Sequence, residues 1–264
     1  MAMLYVAYCD ASGKPSGCPV LTVGGAVAPI KKWTRLEKEW TAALRGEQLS
    51  EFHYTDFASG EGEFKGWKGD KHRRSRFLAV LQGIIKRDIN KLFMASVEID
   101  AWNEVNREYL MEEVFYSPYA LCGYTVVKQV LKWAKGKAIK TPIEFIFEEG
   151  DDGWSGLVEL CKRSSIVPIR LPKERAIPCQ VADWIAWKNR TAATNALLKL
   201  NNTLAASYPD FENFKGILED WESLNNVLVV PGTPGFYGRE ALLRTCKNSG
   251  IIKRSELATL RLGV

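Results

Sequence analysis

The sequence has no apolar run of the roughly 18 to 20 residues that a bilayer-spanning helix requires. It has no basic segment followed by a long greasy stretch at its start, so no secretory signal is expected. No Cys-x-x-Cys pair occurs. The scattered Cys9, Cys18, Cys122, Cys161, Cys179 and Cys246 argue against a zinc ribbon or a thioredoxin-like site, and they read as reduced thiols of a cytoplasmic protein. Histidine is scarce, with only His53 and His72. Net charge is also small, +5, which is too little for a histone-like or tail-like binding mode. There is no internal repeat, and with 46% hydrophobic and 25% charged residues neither disorder nor a fibrous chain needs to be invoked.

What is present is unevenly placed. The stretch from Lys65 to Lys91 gathers basic residues, while Glu144 to Asp152 holds Glu144, Glu148, Glu149, Asp151 and Asp152. Taken singly, each charge run reads as a solvated face; concentrated acid in a net-basic chain suggests a cation site beside an anion-binding surface.

The 264 residues allow one large domain or a core with an added subdomain. Leu4 to Asp10 and Val20 to Ala28 are apolar runs separated by the turn residues Gly13 to Gly17, which predicts a hairpin. Trp33, Leu36, Trp40 and Leu44 have helical spacing. Glu51 to Asp70 has no clean period and reads as a long ordered loop, followed by a helix over Arg73 to Ile85. Further strands are expected at Leu92–Ile99, Ile143–Phe147 and Ile166–Leu171, with helices at Tyr119–Lys135, Trp154–Cys161 and Pro178–Arg190. Tight connections first and helical ones later imply a mixed sheet of five strands, three antiparallel and then two parallel. Residues 1–191 form this α/β domain, and 192–264 are expected to be a helical extension with a connector at Val227–Pro234.

Carboxylates stand where buried strands end. Asp10 closes the first run, and Glu148 and Glu149 follow Phe147 directly. Sheet edges of this kind are where α/β proteins keep their sites. Adjacent residues in extended chain point to opposite faces, so at most one of Glu148 and Glu149 shares a face with Asp10, and Glu148 comes first. Asp151 and Asp152 read as a cap for the next helix. Asp183 lies at the margin of the apolar face of the last core helix. Taken alone, each of these residues has a plain structural reading; their convergence suits Mg²⁺ or Mn²⁺.

The sequence Asp10-Ala11-Ser12-Gly13, the Val23-Gly24-Gly25 strand, the Phe52-His53-Tyr54-Thr55-Asp56-Phe57 loop and Pro178-Cys179-Gln180-Val181-Ala182-Asp183 resemble, in order, motifs of the family called domain of unknown function 3800. The resemblance covers roughly residues 3 to 190. It implies a ribonuclease H-like fold and a metal-dependent nuclease, with Asp10, His53, Glu148 or Glu149, and Asp183 as its site. The chain departs from that pattern at Ala11, where the family commonly has Glu, and at Glu148, where many relatives have Asp.

On this reading Asp10, Glu148 and Asp183 orient a water for in-line attack on a phosphodiester of RNA or DNA, through a two-metal arrangement. His53 supplies acid/base chemistry or a phosphate contact. Arg73, Arg74, Arg76, Lys86 and Lys173 are candidate backbone contacts, and Tyr54 and Trp67 are candidates for base stacking. Two other classes fit the same residues: a nucleic-acid- or partner-binding module without turnover, for which Ala11 is the hint, and a metal-dependent phosphohydrolase of small substrates, against which the basic stretch speaks.

Overall fold

The computed structural model describes residues 3–14, 16–172, 177–200, 231 and 233–256. The hairpin forms as expected: β1 (Tyr5–Ser12) pairs antiparallel with β2 (Val20–Pro29), and Asp10 stands opposite Gly24. On its other edge β2 pairs antiparallel with β3 (Lys91–Glu98). β4 (Ile143–Glu148) lies parallel to β1, and β5 (Ile169–Leu171) parallel to β4. β5 starts later than expected because Pro168 has no N–H to give a ladder. A sixth strand, β6 (Phe236–Tyr237), runs parallel to β3, so the order is β5-β4-β1-β2-β3-β6. This is a mixed sheet, antiparallel first and parallel later, as expected, with β6 added at its far side.

Helices cover both faces. On one side lie α1 (Ile30–Gly46), α2 (Tyr54–Ser59) and α3 (Lys71–Asp88). The other side carries α4 (Ile99–Glu108), α5 (Met111–Phe115), α6 (Pro118–Gly136) and α7 (Trp154–Lys162). The long α8 (Ile177–Leu200) returns to the first face, and α9 (Arg239–Asn248) packs on the second. Local chemistry explains several starts: Asp70 caps α3 by accepting from Arg73 N at 2.9 Å, and Ser117 caps α6 ahead of Pro118. Every position of β2 is buried, because helices cover it from both sides.

Three departures from expectation concern the site. The stretch Glu51–Asp70 is not featureless: it carries α2 and a 3-10 turn at Gly62–Phe64, folded around Phe52, Phe57, Phe64 and Trp67. Helix α8 continues past Arg190, unbroken through residues 191 and 192, to Leu200. Beyond it the described residues form β6 as well as helix, while 201–230, 232 and so most of the expected connector at Val227–Pro234 lie outside the described residues.

Contact between α8 and the sheet is unusually intimate. A Cβ built on Gly24 would stand 2.8 Å from the backbone N of Ala186, so the helix rests directly on β2. Polar stitches hold it there: Thr22 and Ser96 hydroxyls meet at 2.6 Å, and Asn189 Nδ2 donates to Ser96 Oγ at 2.8 Å. Near the helix start, Gln180 Oε1 accepts from Trp40 Nε1 at 2.9 Å and from Phe52 N at 3.1 Å.

Gly24→Ala is therefore expected to destabilise the fold by about 1–3 kcal/mol, the usual cost of overpacking. Gly83, inside α3 with nothing within 4 Å of a built Cβ, is the control. Gly83→Ala should stabilise by about 0.5–1 kcal/mol, because glycine lowers helix stability. Urea unfolding of the two variants checks both signs.

Candidate metal site

Val6, Tyr8 and Asp10 alternate onto the α8 side of β1, as Ile146 and Glu148 do on β4. The last pair of the β1–β4 ladder, Cys9 with Phe147, leaves Asp10 and Glu148 as neighbours at the point where that ladder stops. Asp183 comes from above. It sits one helical turn before Ala186, the residue in contact with Gly24, and Gly24 is the partner of Asp10. Three separate segments thus bring their acids to one sheet edge.

Burial makes this arrangement costly. Asp10 is 8% exposed, and Asp183, expected at the margin of its face, is 7% exposed. Burial pushes the Asp10 carboxyl well above the usual carboxylate range, and the charges of Glu148, Asp183 and Asp151 push it further. The backbone N–H of Ala11 acts in the opposite direction. Asp183 is held in place from the aromatic loop: its Oδ2 accepts from Tyr54 N at 2.8 Å. His53, just ahead of α2, brings Nε2 to 3.9 Å from Asp183 Oδ1, while its Nδ1 lies 3.2 Å from Asp56 Oδ2.

The other expected site residues are distributed differently. Glu149 is exposed, with its N–H bonded to Leu171 O at 2.8 Å, and the charges acting on Asp10 do not include it. Asp151 takes its place in the cluster. Asp151 is not the cap of α7, since Gly153 holds that position in a left-handed conformation. Burial lifts Asp151 to about 6, with Arg170 pulling it down, Asp152 adding to the rise and Lys14 opposing it. The glycines Gly150 and Gly153, both at positive φ, are the sequence signal that the chain turns back there.

The arginines of the basic stretch make contacts within the fold. Arg73 donates to Glu47 Oε2 at 2.8 Å and lies over Trp67, and Arg76 reaches the same carboxylate at 3.4 Å. Arg74 lies 4.2 Å from the Phe57 ring centroid. Lys86, in the last turn of α3, is about 20 Å along the helix from Arg73. Lys173 is outside the described residues. Tyr54 and Trp67 are 5% and 3% exposed, packed in the aromatic core, so the stacking role expected for them is corrected: neither offers a ring face to a base.

The donors that converge are carboxylate oxygens, which suit a hard cation such as Mg²⁺ or Mn²⁺ better than a soft one. Among the described residues no three His, Cys, Asp or Glu side chains already stand at ion-holding distance, so a cation would have to draw these carboxylates inward.

No family profile matches the chain, and no curated protein matches it. Among solved structures, a chain of the PCNA–RNase HII complex from Archaeoglobus fulgidus is similar at 16% identity and TM-score 0.43, over 86% of this chain and 94% of that one. Ribonuclease H2 from Pyrococcus horikoshii is similar at 14% identity and TM-score 0.42, over 84% and 90%. Likenesses this distant assign no residue a role. No helix among the described residues is long and apolar enough to cross a membrane, and none of the six cysteines is in a disulfide.

Two raised carboxyls set the sign of a pH effect. Asp10 and Asp151 bind protons more tightly in the folded chain than in the unfolded one. Their contribution to stability is therefore present at low pH and is lost as pH rises, between about 4 and 6 for Asp151. In chelator at about pH 7.5, Asp10→Asn should be more stable than wild type by about 1–3 kcal/mol, with the gap closing towards about pH 4.5. Urea unfolding at both pH values measures it, and a less stable Asp10→Asn at the higher pH would contradict it.

Proposed function

We propose that the chain is a divalent-metal-dependent nuclease that hydrolyses phosphodiester bonds of RNA or DNA in the cytoplasm, with Asp10, Glu148 and Asp183 holding Mg²⁺ or Mn²⁺. The observation that carries the proposal is the burial of Asp10 under the charges of Glu148, Asp183 and Asp151. Once ionised, such a cluster loses stability unless a cation offsets it, and a cation there would stand where the β1–β4 ladder stops, at the carboxyl end of the parallel strands. The motif resemblance and the free thiols support the same reading.

A divalent ion held by Asp10, Glu148 and Asp183 would supply Lewis-acid chemistry, polarising a phosphoryl oxygen and lowering the pKa of a water. The rest falls to the chain. Tyr54 N–H fixes the direction of the Asp183 carboxylate, and the strand ends fix Asp10 beside Glu148. His53, oriented by Asp56, can take or give a proton at Nε2 on the Asp183 side of the site.

A metal-dependent phosphohydrolase of small substrates is the second reading. The engagement of Arg73, Arg74 and Arg76 in internal contacts favours it, since the basic stretch was the argument for a long anionic substrate.

Incubation with labelled RNA and DNA in Mn²⁺ tests the proposal. Wild type should cleave at least one of them, and Asp10→Ala or Asp183→Asn should lower the rate by about a hundredfold or more. Binding without cleavage by wild type would instead support a module that has lost turnover.

A further inference from the structure

Several arginines of the described residues are matched by carboxylates: Arg35 and Arg87 by Asp88, Arg73 and Arg76 by Glu47, Arg239 by Glu104. Arg190 is different. It forms no ion pair among the described residues, although it lies within two helical turns of Asp183, on the same stripe of α8. Its partners are neutral. Nε donates to Ser12 Oγ at 3.0 Å, one terminal nitrogen reaches Cys18 Sγ at 3.5 Å, and the guanidinium is 5.9 Å from the Trp187 ring centroid.

The arginine is also held in a prepared position. Gly13, at φ +93, leaves space for its stem: a Cβ there would come within 2.8 Å of Arg190 Cδ and 2.6 Å of Val20 O. Ser12 lies two residues beyond Asp10 on the same face of β1, which places the anchor about 7 Å outward from the acid cluster along the strand. With Nε occupied, the remaining donors of this half-buried guanidinium can still grip an anion in bidentate fashion.

We propose that Arg190, braced by Ser12 and Gly13, is the contact for a second phosphate of a polynucleotide strand, one nucleotide away from the phosphodiester at Asp10. The proposal rests on the nuclease reading and narrows it, because a small phosphoester has no second phosphate to fill this position. The recognised group is a phosphodiester oxyanion, supplied by either an RNA or a DNA strand. Such a contact gives affinity and register without base specificity.

The test compares wild type with Arg190→Gln, using single-stranded RNA and DNA oligonucleotides and, as a one-phosphate substrate, bis(p-nitrophenyl) phosphate, all in Mn²⁺. For the preferred oligonucleotide, Arg190→Gln should raise KM about tenfold with little change in kcat, and kcat/KM should fall much further than for the small phosphodiester. In binding assays across salt concentrations, the slope of log affinity against log salt should shrink by about one contact. Arg190→Lys, which keeps the charge, should recover most of that slope, and circular dichroism shows whether each variant is folded.

Equal losses on all substrates would overturn the proposal, because they would make Arg190 a staple of the turn and nothing more. An unchanged salt slope, or no oligonucleotide binding by wild type, would overturn it as well. Should wild type bind strands through Arg190 but cleave none, the phosphate contact stands and the nuclease reading falls.

Discussion

The backbone of α8 lies on Gly24, and from that contact the rest of the site takes its spacing. A strand residue with a side chain at position 24 would lift the helix away, and Asp183 would lose its place above Asp10. The glycine is also the cross-strand partner of Asp10, so one position sets both the depth of the helix and the location of the acid beneath it. The buried bonds of Thr22, Ser96 and Asn189 then fix α8 along the strands, as Gln180 ties its first turn to α1 and the aromatic loop. Rigid elements of this kind hold catalytic groups more precisely than loops do.

The protein treats its buried acids in two opposite ways. Asp88 is fully buried, yet hydrogen bonds from Arg87 and Arg35 outweigh the effect of burial and hold its carboxyl below the usual range. That pair ties α3 to α1. At Asp10 the neighbouring charges are of like sign, and they act in the same direction as burial. A structural acid is neutralised by its own fold; at Asp10 the neighbouring charges add to the effect of burial.

Much of this was legible in the sequence, and what was missed has physical causes. Apolar runs ending in acid identified β1 and β4, and their alternation separated Glu148 from Glu149. The helical period identified α8 but not its full length, although no glycine or proline follows Arg190 to stop the helix before Leu200. β6 has two residues, too few to show a period. Asp151 looked like a helix cap because caps and buried loop acids draw on the same residue types, and only the fold of the turn distinguishes them. The basic stretch shows a related limit: a run of arginines gives charge and no partners, and Glu47, which binds two of them, lies just past the end of α1. Arg190, by contrast, stood alone in the sequence and gained meaning only when Gly13 and Ser12 were folded against it.

Crystals soaked in Mn²⁺ and measured for anomalous scattering test the central claim most directly. Density between Asp10, Glu148 and Asp183, with those side chains drawn in around it, is the predicted result. Mn²⁺ bound elsewhere on the chain, with that sheet edge empty and the three carboxylates where they now stand, would contradict it.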